Sequence, residues 1–477
     1  MPDPRFSRYQ DGTGNDLETM TSLTRRSFIG ATVGAALSPS FARALPATVD
    51  VAVVGAGAAG IAAARRIVAA GRSVVVLEAA ERIGGRCRTD IAAFGVPCDF
   101  GACWFYNVDN NPVARLGPAH GMDVYPASRG QRLRIGRRNA REGELEDFLA
   151  ALVRCDRAIT DAAAGKADLS CAQALPKDLG ILRPAIEFYM GPFSCSRDLV
   201  EMSAADLAKS VSRNIDAFCR QGLGALVEKL ATNIPLERAA AVTEINAFGR
   251  SNVDIATARG RLTARAAIVT ASTGVLASGK IKFAPELPKR QADALVRLSP
   301  GHYERIILEL PGNPLDLQRD DLVMERAEDE RTAALLANVN GSELCYVDVG
   351  GRFGRTLSAR GPRAMTEFAV SWLSGLYGVD VGSRLRRSHV TQWSGDPWIM
   401  GAFATAAVGA QGSRRILMEP HRDRVFFAGE AVHETQWGTV AGAWESGERA
   451  AAAALRLFGI GPKPQPQPAE RRQPRRR

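Results

Sequence analysis

The sequence predicts an α/β protein whose core is a nucleotide-binding strand–helix–strand unit, and two neighbouring stretches carry that prediction. Residues 49–54 hold four valines, as expected of a buried strand. The stretch "GAGAAG" at 55–60 then opens a helical segment, and "SVVVLEA" follows as a second strand that ends at Glu78. A strand, a G-x-G-x-x-G turn, a helix, a strand and an acid together form a Rossmann-like pattern.

Each glycine of the G-x-G-x-x-G turn has a physical role. Gly55 allows the tight turn, Gly57 lets the backbone approach a pyrophosphate, and Gly60 lets the helix pack closely on the strand. The helix N-terminus offers unpaired N–H groups and a positive dipole end to the phosphates. Glu78 is placed to accept hydrogen bonds from the adenosine ribose, and an acid there disfavours a 2′-phosphate. The pattern by itself leaves NAD and FAD open.

The next stretch, "ERIGGRCRT", places Arg82, Gly84, Gly85 and Arg86 just past this acid. Here the chain resembles the flavin amine oxidase family, which carries R-x-G-G-R at the same place. In that family the stretch wraps the pyrophosphate and ribityl chain of FAD. Paired glycines permit close approach, and arginine offsets phosphate charge. The alternative interpretation of these residues is an exposed basic turn.

The resemblance extends over most of residues 49–457. "DFGACWFYNVDNNPVARLGPAHG" is similar to the family segment beside the flavin, and "GLGALVEKLA" to its glycine-rich lead into a helix. The stretch "AAIVTASTGVLASGKIKFAPELPKRQADALVRLSPGHYERIIL" and "QWSGDPWIMGAFA" resemble the polyamine oxidase and histone lysine demethylase branch. "FFAGEAVHETQWGTVAGAWESGERAA" resembles the family's closing signature. Residues 121–220 are generic.

The resemblance implies a Rossmann-like FAD-binding domain of the glutathione-reductase type with an inserted α+β substrate domain. The FAD domain would comprise residues 49–100, 220–290 and 390–458, and the substrate domain residues 101–219 and 291–389. The nucleotide motif and the resemblance together predict these cofactor contacts: Gly55, Gly57, Ala58, Ala59, Gly60, Glu78, Ala79, Arg82, Gly84, Gly85, Arg86, Gly101, Ala102, Trp104, Val242, Trp393, Gly429, Glu430, Gly438, Thr439 and Val440.

Non-covalent FAD is expected, because no cysteine falls in residues 394–403, where covalent relatives attach their flavin. A helix that begins near Thr439 and Val440 is expected to point at the flavin pyrimidine edge and to stabilise negative charge on the reduced ring. The sequence contains one G-x-G-x-x-G in a proper strand and helix context, so an organic substrate is expected to reduce the flavin.

Four residues are predicted to act in the reaction. The resemblance implies that Phe403 and Thr439 flank the substrate and that Trp393 lies near the flavin. A packing role in the core is the alternative for Phe403 and Trp393. Arg305 aligns with a family lysine that binds flavin N5 through water. Arg305 is therefore predicted to anchor that water, to slow the reaction with oxygen or to bind a substrate carboxylate, with a structural strand arginine as the alternative.

The predicted function is oxidation of an amine by hydride transfer to flavin N5. The imine would hydrolyse to an aldehyde or ketone, and oxygen would reoxidise the flavin and form hydrogen peroxide. The alternatives are a flavin dehydrogenase with a periplasmic electron acceptor, an L-amino-acid oxidase, and an FAD-binding module without turnover.

Both ends of the chain differ from the rest. Arg25 and Arg26 precede an apolar run of about ten residues and an A-x-A site at 42–44, which predicts a twin-arginine signal peptide over residues 1–44. An anchor helix is the alternative, although a span needs roughly 20 residues. The protein is thus expected in the periplasm or outside the cell, exported folded by the twin-arginine translocase. Residues 462–477, rich in proline and arginine, predict a disordered basic tail.

Composition limits the remaining classes of protein. The chain has 477 residues, 46% hydrophobic and 23% charged, as in a soluble two-domain protein. No stretch after the leader predicts a membrane span, and no zinc-finger spacing or basic patch interleaved with aromatic residues predicts nucleic-acid binding. The eight cysteines form no C-x-x-C pair and are expected as free thiols, and the histidines show no metal-ligand spacing.

Overall fold

The computed structural model describes residues 45–127 and 131–461. The predicted signal peptide at 1–44 and the predicted basic tail at 462–477 lie outside the described residues. Within the described chain, no helix is long and apolar enough to cross a membrane.

The strands are named in chain order. They are β1 (Thr48–Val54), β2 (Val74–Leu77), β3 (Thr89–Asp90), β4 (Cys98–Asp99), β5 (Trp104–Tyr106), β6 (Val124–Pro126), β7 (Gln131–Ile135), β8 (Arg138–Asn139), β9 (Ile215–Cys219), β10 (Leu236–Glu237), β11 (Val242–Asn246), β12 (Val253–Thr257), β13 (Gly260–Val269), β14 (Lys282–Ala284), β15 (Tyr303–Glu309), β16 (Asp321–Glu325), β17 (Ala334–Ala337), β18 (Leu344–Gly350), β19 (Arg387–Val390) and β20 (Val425–Phe427).

The α-helices are named in the same way. They are α1 (Ala58–Ala69), α2 (Pro112–Leu116), α3 (Glu142–Ala163), α4 (Cys171–Ala174), α5 (Arg183–Phe188), α6 (Ala204–Leu207), α7 (Leu223–Leu230), α8 (Thr273–Ala277), α9 (Lys289–Arg297), α10 (Gly351–Ser358), α11 (Pro362–Tyr377), α12 (Val381–Arg384), α13 (Ser413–Met418) and α14 (Val440–Arg456). A π-helical turn, Tyr189–Phe193, follows α5.

The first sheet has eight strands in the order β10-β2-β1-β13-β12-β11-β14, with β20 beside β13. Strands β10, β2, β1, β13 and β20 run parallel to one another, so their carboxyl ends meet at one edge. Alternate residues of β1 enter two cores: Val51 and Val53 pack with α1 and α14, whereas Ala52 and Val54 pack on the opposite face. Burial on both faces explains the uninterrupted valine-rich sequence of β1.

Helices α1 and α14 cross at very short range on this sheet. A Cβ atom added to Gly447 would lie 2.0 Å from the carbonyl oxygen of Ala59, and one added to Gly60 would lie 1.9 Å from that of Gly55. Only glycine fits at either position. The last helix of the fold is thereby fixed directly against the glycine-rich turn, as predicted for Gly60.

The second sheet has seven strands in the order β19-β15-β18-β17-β16-β7-β8 and is mainly antiparallel. One face packs against α10 and α11, and the other contributes Ile307 and Tyr346 to a core shared with Trp393. Its strands come from residues 131–139 and 303–390, whereas those of the first sheet come from 48–77, 236–284 and 425–427. The exact domain boundaries stay predictions.

A helical layer completes this half of the protein. In α3 the residues Phe148, Ala151, Cys155 and Ile159 are buried at helical spacing and pack with α4, α5 and α6. A small antiparallel sheet, β5-β9-β6, carries Trp104 and Tyr106 toward the site described next. The protein therefore combines a mostly parallel nucleotide-type sheet with an α+β unit, which is the predicted fold class.

Candidate active site

A single elongated cavity of about 490 Å³ begins at the carboxyl edge of the first sheet and extends to the second. Val54, Leu77, Thr270 and Gly429, each at or just after the end of a parallel strand, line its first half. Ligands of open α/β sheets bind at this edge. Tyr303 and Arg305 of β15 line its other half. One cavity thus joins a nucleotide-type edge to the second sheet.

The glycine-rich turn forms the floor of the nucleotide end. A Cβ atom placed on Gly57 would have only the Gly84 carbonyl oxygen nearby, at 4.0 Å, so this position opens into the cavity. No side chain caps the start of α1, and Ala58 and Ala59 in its first turn line the cavity. The first turn therefore offers its backbone N–H groups and dipole to an anion, as a bound pyrophosphate requires.

Glu78 lies beside this turn with little exposure to solvent. Its carboxylate accepts hydrogen bonds from the backbone N–H groups of Ala56, at 2.7 Å, and Ala80, at 2.9 Å. Burial raises the pKa of Glu78 above its ordinary value, although these hydrogen bonds oppose the shift. The carboxylate is thus oriented before any ligand binds, and Ala79 and Val242 line the cavity near it.

Arg86 and Glu430 connect the two ends of the sequence across the middle of the cavity. Their side chains form an ion pair of 2.9 Å, and Arg86 also donates to the carbonyl of Ala402. Glu430 in turn accepts hydrogen bonds from the backbone N–H groups of Ala404 and Gly438. This network fixes the loops that carry Phe403 and Thr439 into the cavity.

Helix α14 points its N-terminus at the cavity. Thr439 is the N-cap: its hydroxyl accepts from the N–H of Gly442, at 2.9 Å, and donates to the carbonyl of Gln436, at 2.7 Å. Val440 and Ala441 line the cavity. The start of the helix therefore lies at the cavity wall, and its predicted position at the flavin pyrimidine edge stays a prediction. The Thr439 hydroxyl is already committed to capping, so its side chain contributes mainly shape to the cavity wall.

Aromatic side chains line the end of the cavity formed by the second domain. Ring centroids are separated by 5.8 Å between Trp104 and Phe193, by 6.5 Å between Phe193 and Tyr303, and by 6.0 Å between Tyr303 and Phe403. Such tilted arrangements place apolar faces and ring edges together. A continuous aromatic wall results, and its Phe403 follows Ala402, whose carbonyl accepts a hydrogen bond from Arg86 of the nucleotide end.

Trp393 is held in this wall by a buried carboxylate. Glu304 accepts hydrogen bonds from the hydroxyl of Thr391 and from the backbone N–H groups of Trp393 and Ser394. The indole N–H of Trp393 donates to the carbonyl of Phe100, at 3.2 Å. Glu304 and Arg305 are adjacent on β15, so one strand controls both the tryptophan and the arginine.

Arg305 lines the cavity but has most of its donors engaged. Two of its nitrogens bind the carboxylate of Asp348, at 2.8 and 2.9 Å, and a third donates to the carbonyls of Asp99 and Gly101. Burial would lower the pKa of Arg305, but the Asp348 charge raises it well above its ordinary value. Arg305 therefore ties β15 and β18 to the segment that leads to Trp104, and its predicted part in the reaction stays a prediction.

Most of the predicted cofactor residues meet in this one cavity, as do all four residues predicted to act in the reaction. Gly60 and Arg82 lie outside the cavity wall. Gly60 packs against the turn, and Arg82 donates to the carbonyl of Gly85, at 2.7 Å, while its guanidinium lies over Trp393. Gly60 and Arg82 therefore contact residues that line the cavity without lining it themselves.

Several lining residues were missed at the level of sequence: Tyr106, Phe193, Thr270, Lys280, Tyr303 and Trp398. Phe193 belongs to the generic segment, where an isolated aromatic residue carries no signal. Thr270 follows the end of β13 and donates to the carbonyl of Val54, so its place after a strand was the available clue. Lys280 and Trp398 contact each other through a cation–π interaction of 5.4 Å.

A parallel-sheet edge with an uncapped helix, an oriented acid and an adjoining aromatic chamber defines a dinucleotide-dependent oxidoreductase fold. Among the described residues, no cluster of His, Cys, Asp or Glu forms a metal site. The family profile described as "Flavin containing amine oxidoreductase" matches residues 128–455, and a profile described as "NAD(P)-binding Rossmann-like domain" matches residues 53–116. The chain belongs to the flavin containing amine oxidoreductase family.

Curated relatives agree with this assignment. The chain is 30% identical to lysine-specific histone demethylase 1 homolog 3 of Oryza sativa subsp. japonica, across 84% of this chain and 53% of the relative. It is 26% identical to polyamine oxidase 3 of the same organism, across 84% and 87% of the two chains. The chain spans about half the length of the demethylase-type relatives that it matches.

Solved structures share the fold. Cyclohexylamine oxidase from Brevibacterium oxydans IH-35A has a TM-score of 0.74 at 21% identity and covers 86% of this chain and 100% of its own. Putrescine oxidase bound to putrescine has a TM-score of 0.73 at 17% identity, with 87% and 99% covered.

FAD is the cofactor of this family, and the described residues fit it. The position of Gly57 leaves room for the pyrophosphate, α1 offers N–H groups to it, and Glu78 is oriented for the ribose. The cavity continues from there to the aromatic chamber, whose lining includes Phe403. No cysteine lies in residues 394–403, and all eight cysteines are buried and free. Non-covalent binding stays a prediction.

Proposed function

We propose that this protein is an FAD-dependent amine oxidase. The observation that carries the proposal is the continuity of one cavity from the nucleotide cradle to a chamber lined by Trp104, Phe193, Tyr303 and Phe403. Bound FAD supplies a two-electron acceptor for the hydride equivalent of the amine α-carbon, and oxygen takes up those electrons as hydrogen peroxide. Water then hydrolyses the imine to a carbonyl compound and an amine or ammonia.

The chamber favours the reactive form of the substrate. An amine must lose its ammonium proton before its α-carbon can release hydride, and desolvation by aromatic walls lowers an amine's pKa. Phe403, close to the nucleotide edge, is placed to hold the carbon skeleton against the reactive ring. The N-terminus of α14, with Thr439 as its cap, offers a positive dipole end for charge that develops during reduction.

The hydrogen bonds of Arg305 favour an amine over an amino acid as the substrate, because they leave this residue poorly able to bind a substrate carboxylate. A carboxylate clamp needs free guanidinium donors. Four hydrogen bonds of Arg305 already go to Asp348 and to the carbonyls of Asp99 and Gly101. The pair with Asp348 is also electrically neutral, so it lacks the net positive charge that would attract a substrate carboxylate.

Anaerobic reduction tests the proposed function. The purified yellow holoprotein is mixed with a panel of primary and secondary amines and L-amino acids, and the flavin absorbance is followed before and after oxygen is admitted. Bleaching by amines with rapid recovery in oxygen supports an amine oxidase. Bleaching by amines with slow recovery identifies a dehydrogenase, and bleaching only by amino acids identifies an amino-acid oxidase. A flavin that no compound bleaches refutes the proposal and favours a binding module.

The same proposal includes folded export through the twin-arginine translocase to the periplasm or beyond. It is supported by the adjacent Arg25 and Arg26, the short apolar run and the A-x-A site. A chain that must bind FAD before crossing a membrane needs a route for folded proteins. Changing Arg25→Lys together with Arg26→Lys should leave the protein in the cytoplasm with its leader attached. Normal accumulation of the double variant in the periplasm would contradict this route.

A further inference from the structure

The aromatic chamber has an arginine behind its wall that the sequence did not single out. Arg213 lies in the loop before β9, and its guanidinium stacks over the ring of Trp437, at 4.1 Å. It donates to the carbonyls of Ser194, at 3.0 Å, and Trp437, at 2.8 Å. These contacts fix the charge next to the loop that leads into α14.

The guanidinium is close to the residues that line the chamber. A Cβ atom placed on Gly438 would lie 3.0 Å from the Phe403 ring and 3.2 Å from an Arg213 terminal nitrogen. Burial raises the pKa of Tyr106 to about 12, and Arg213 is the foremost charge that opposes this shift. Arg213 therefore sits behind Gly438, next to Phe403, at the aromatic part of the cavity wall.

The charge of Arg213 is not neutralised. Within residues 45–127 and 131–461, no carboxylate forms an ion pair with it. The nearby carboxylates are paired elsewhere: Asp348 with Arg305, Asp206 with Arg414, and Glu430 with Arg86. Among the described residues, the only acids that line the cavity are Glu78 and Glu430, and Glu430 is already paired with Arg86. Arg213 therefore stands behind the chamber wall as a cation without a paired carboxylate, and the aromatic rings offer no acid to a second ammonium group.

We propose that Arg213 restricts the enzyme to monoamines with an apolar body and rejects diamines and polyamines. This inference rests on the proposed amine oxidation. A second ammonium group would enter a desolvated chamber that offers no counter-ion and would face a fixed cation. At an effective dielectric constant of ~20, like charges closer than about 12 Å repel strongly enough to lower the affinity roughly tenfold or more. A monoamine meets the aromatic rings alone and avoids this cost.

Matched pairs of substrates separate the charge effect from size. Pentylamine is compared with 1,5-diaminopentane, and benzylamine with 1,4-bis(aminomethyl)benzene, by the second-order rate constant of anaerobic flavin bleaching. In the wild type each monoamine should react at least tenfold faster than its diamine. Arg213→Met should bring each pair to within about threefold, whereas Arg213→Lys, which keeps the charge, should retain the preference. Arg290→Met, which removes an exposed arginine paired with Glu419, serves as the surface control.

The ratio within each pair guards against a trivial loss of structure. A loosened Trp437 loop in Arg213→Met slows both members of a pair, and only a change of charge alters their ratio. A wild-type enzyme that oxidises diamines as fast as monoamines, or an unchanged ratio in Arg213→Met, overturns this inference while amine oxidation stands. A wild-type flavin that no amine bleaches refutes the proposed function, and the inference falls with it.

Discussion

Removing the guanidinium of Arg305 should destabilise the protein more than it alters the chemistry at the cavity wall. Arg305→Met would leave the Asp348 carboxylate, 2% exposed, without its cation, and two carbonyls without a donor. Breaking a buried ion pair by removing one partner costs about 3–5 kcal/mol. For a chain of this size each kcal/mol corresponds to about 1 °C, so the melting temperature should fall by about 3–5 °C.

The second half of this test removes both charges. Arg305→Met combined with Asp348→Leu eliminates the buried carboxylate and should recover at least half of the lost stability, because no unpaired charge remains. Arg305→Lys keeps a charge but cannot span the carboxylate and both carbonyls, so an intermediate melting temperature is expected. Thermal unfolding of the holoprotein, followed by tryptophan fluorescence and by released flavin, is measured for the wild type, for these three variants and for the single variant Asp348→Leu. A single Arg305→Met variant that melts with the wild type, or a double variant whose loss equals the sum of the single losses, would refute the reasoning.

Three further predictions, with four substitutions, concern the glycine-rich turn, Glu304 and His302. Gly57→Val should give folded but colourless protein, because its Cβ atom would enter the cavity with only the Gly84 carbonyl oxygen nearby, at 4.0 Å. Gly60→Ala, which collides with the Gly55 carbonyl, should fail to fold, and absorbance at the flavin bands with circular dichroism distinguishes the two. Glu304→Gln should weaken FAD binding about tenfold, because it places an amide N–H₂ against the backbone N–H groups of Trp393 and Ser394. Flavin fluorescence quenching measures the affinity, and an unchanged affinity would exclude this positioning role of Glu304. Burial, aided by the charge of Arg355, lowers the pKa of His302 to about 4. Neutral His302 therefore contributes up to about 3 kcal/mol to the free energy of unfolding above pH 6.5, and this contribution is lost as the pH falls toward 4. His302→Gln should flatten this dependence of stability on pH, measured by urea titrations at each pH, and an unaltered dependence would contradict the prediction.

The nucleotide half of the site could be predicted from the sequence because its signals are local. Gly55 to Glu78 form a continuous strand–turn–helix–strand unit, and each residue acts on a neighbour within that unit. The aromatic chamber could not be predicted in this way, because its residues are far apart in the sequence. Tyr303 and Phe193 are 110 positions apart in the chain and meet only after the second sheet and the π-helical turn have formed.

The role of Arg305 shows the same limit. Its alignment identified the position, yet its partner Asp348 lies on another strand and carries no sequence signal of pairing. Arg213 was missed for a related reason: its significance depends on the absence of an acid around it, and a missing counter-ion is a property of the folded surroundings. Sequence reasoning finds contiguous motifs and is weak for charges that are balanced in three dimensions.

The crossing of α1 and α14 has a consequence for the order of events during synthesis. The glycine-rich turn is among the first described parts of the chain to leave the ribosome. The cavity that it borders also needs Gly429, Glu430 and the N-terminus of α14, which lie near the C-terminal end of the described chain. Strand β1 pairs early with β2 but waits for β13, more than 200 positions later, to gain its second parallel neighbour. Such non-local pairing delays folding until the partners exist. Flavin capture therefore has to wait until nearly the whole of the described chain has been synthesised, and the cofactor is taken up by a folded protein rather than by a nascent one.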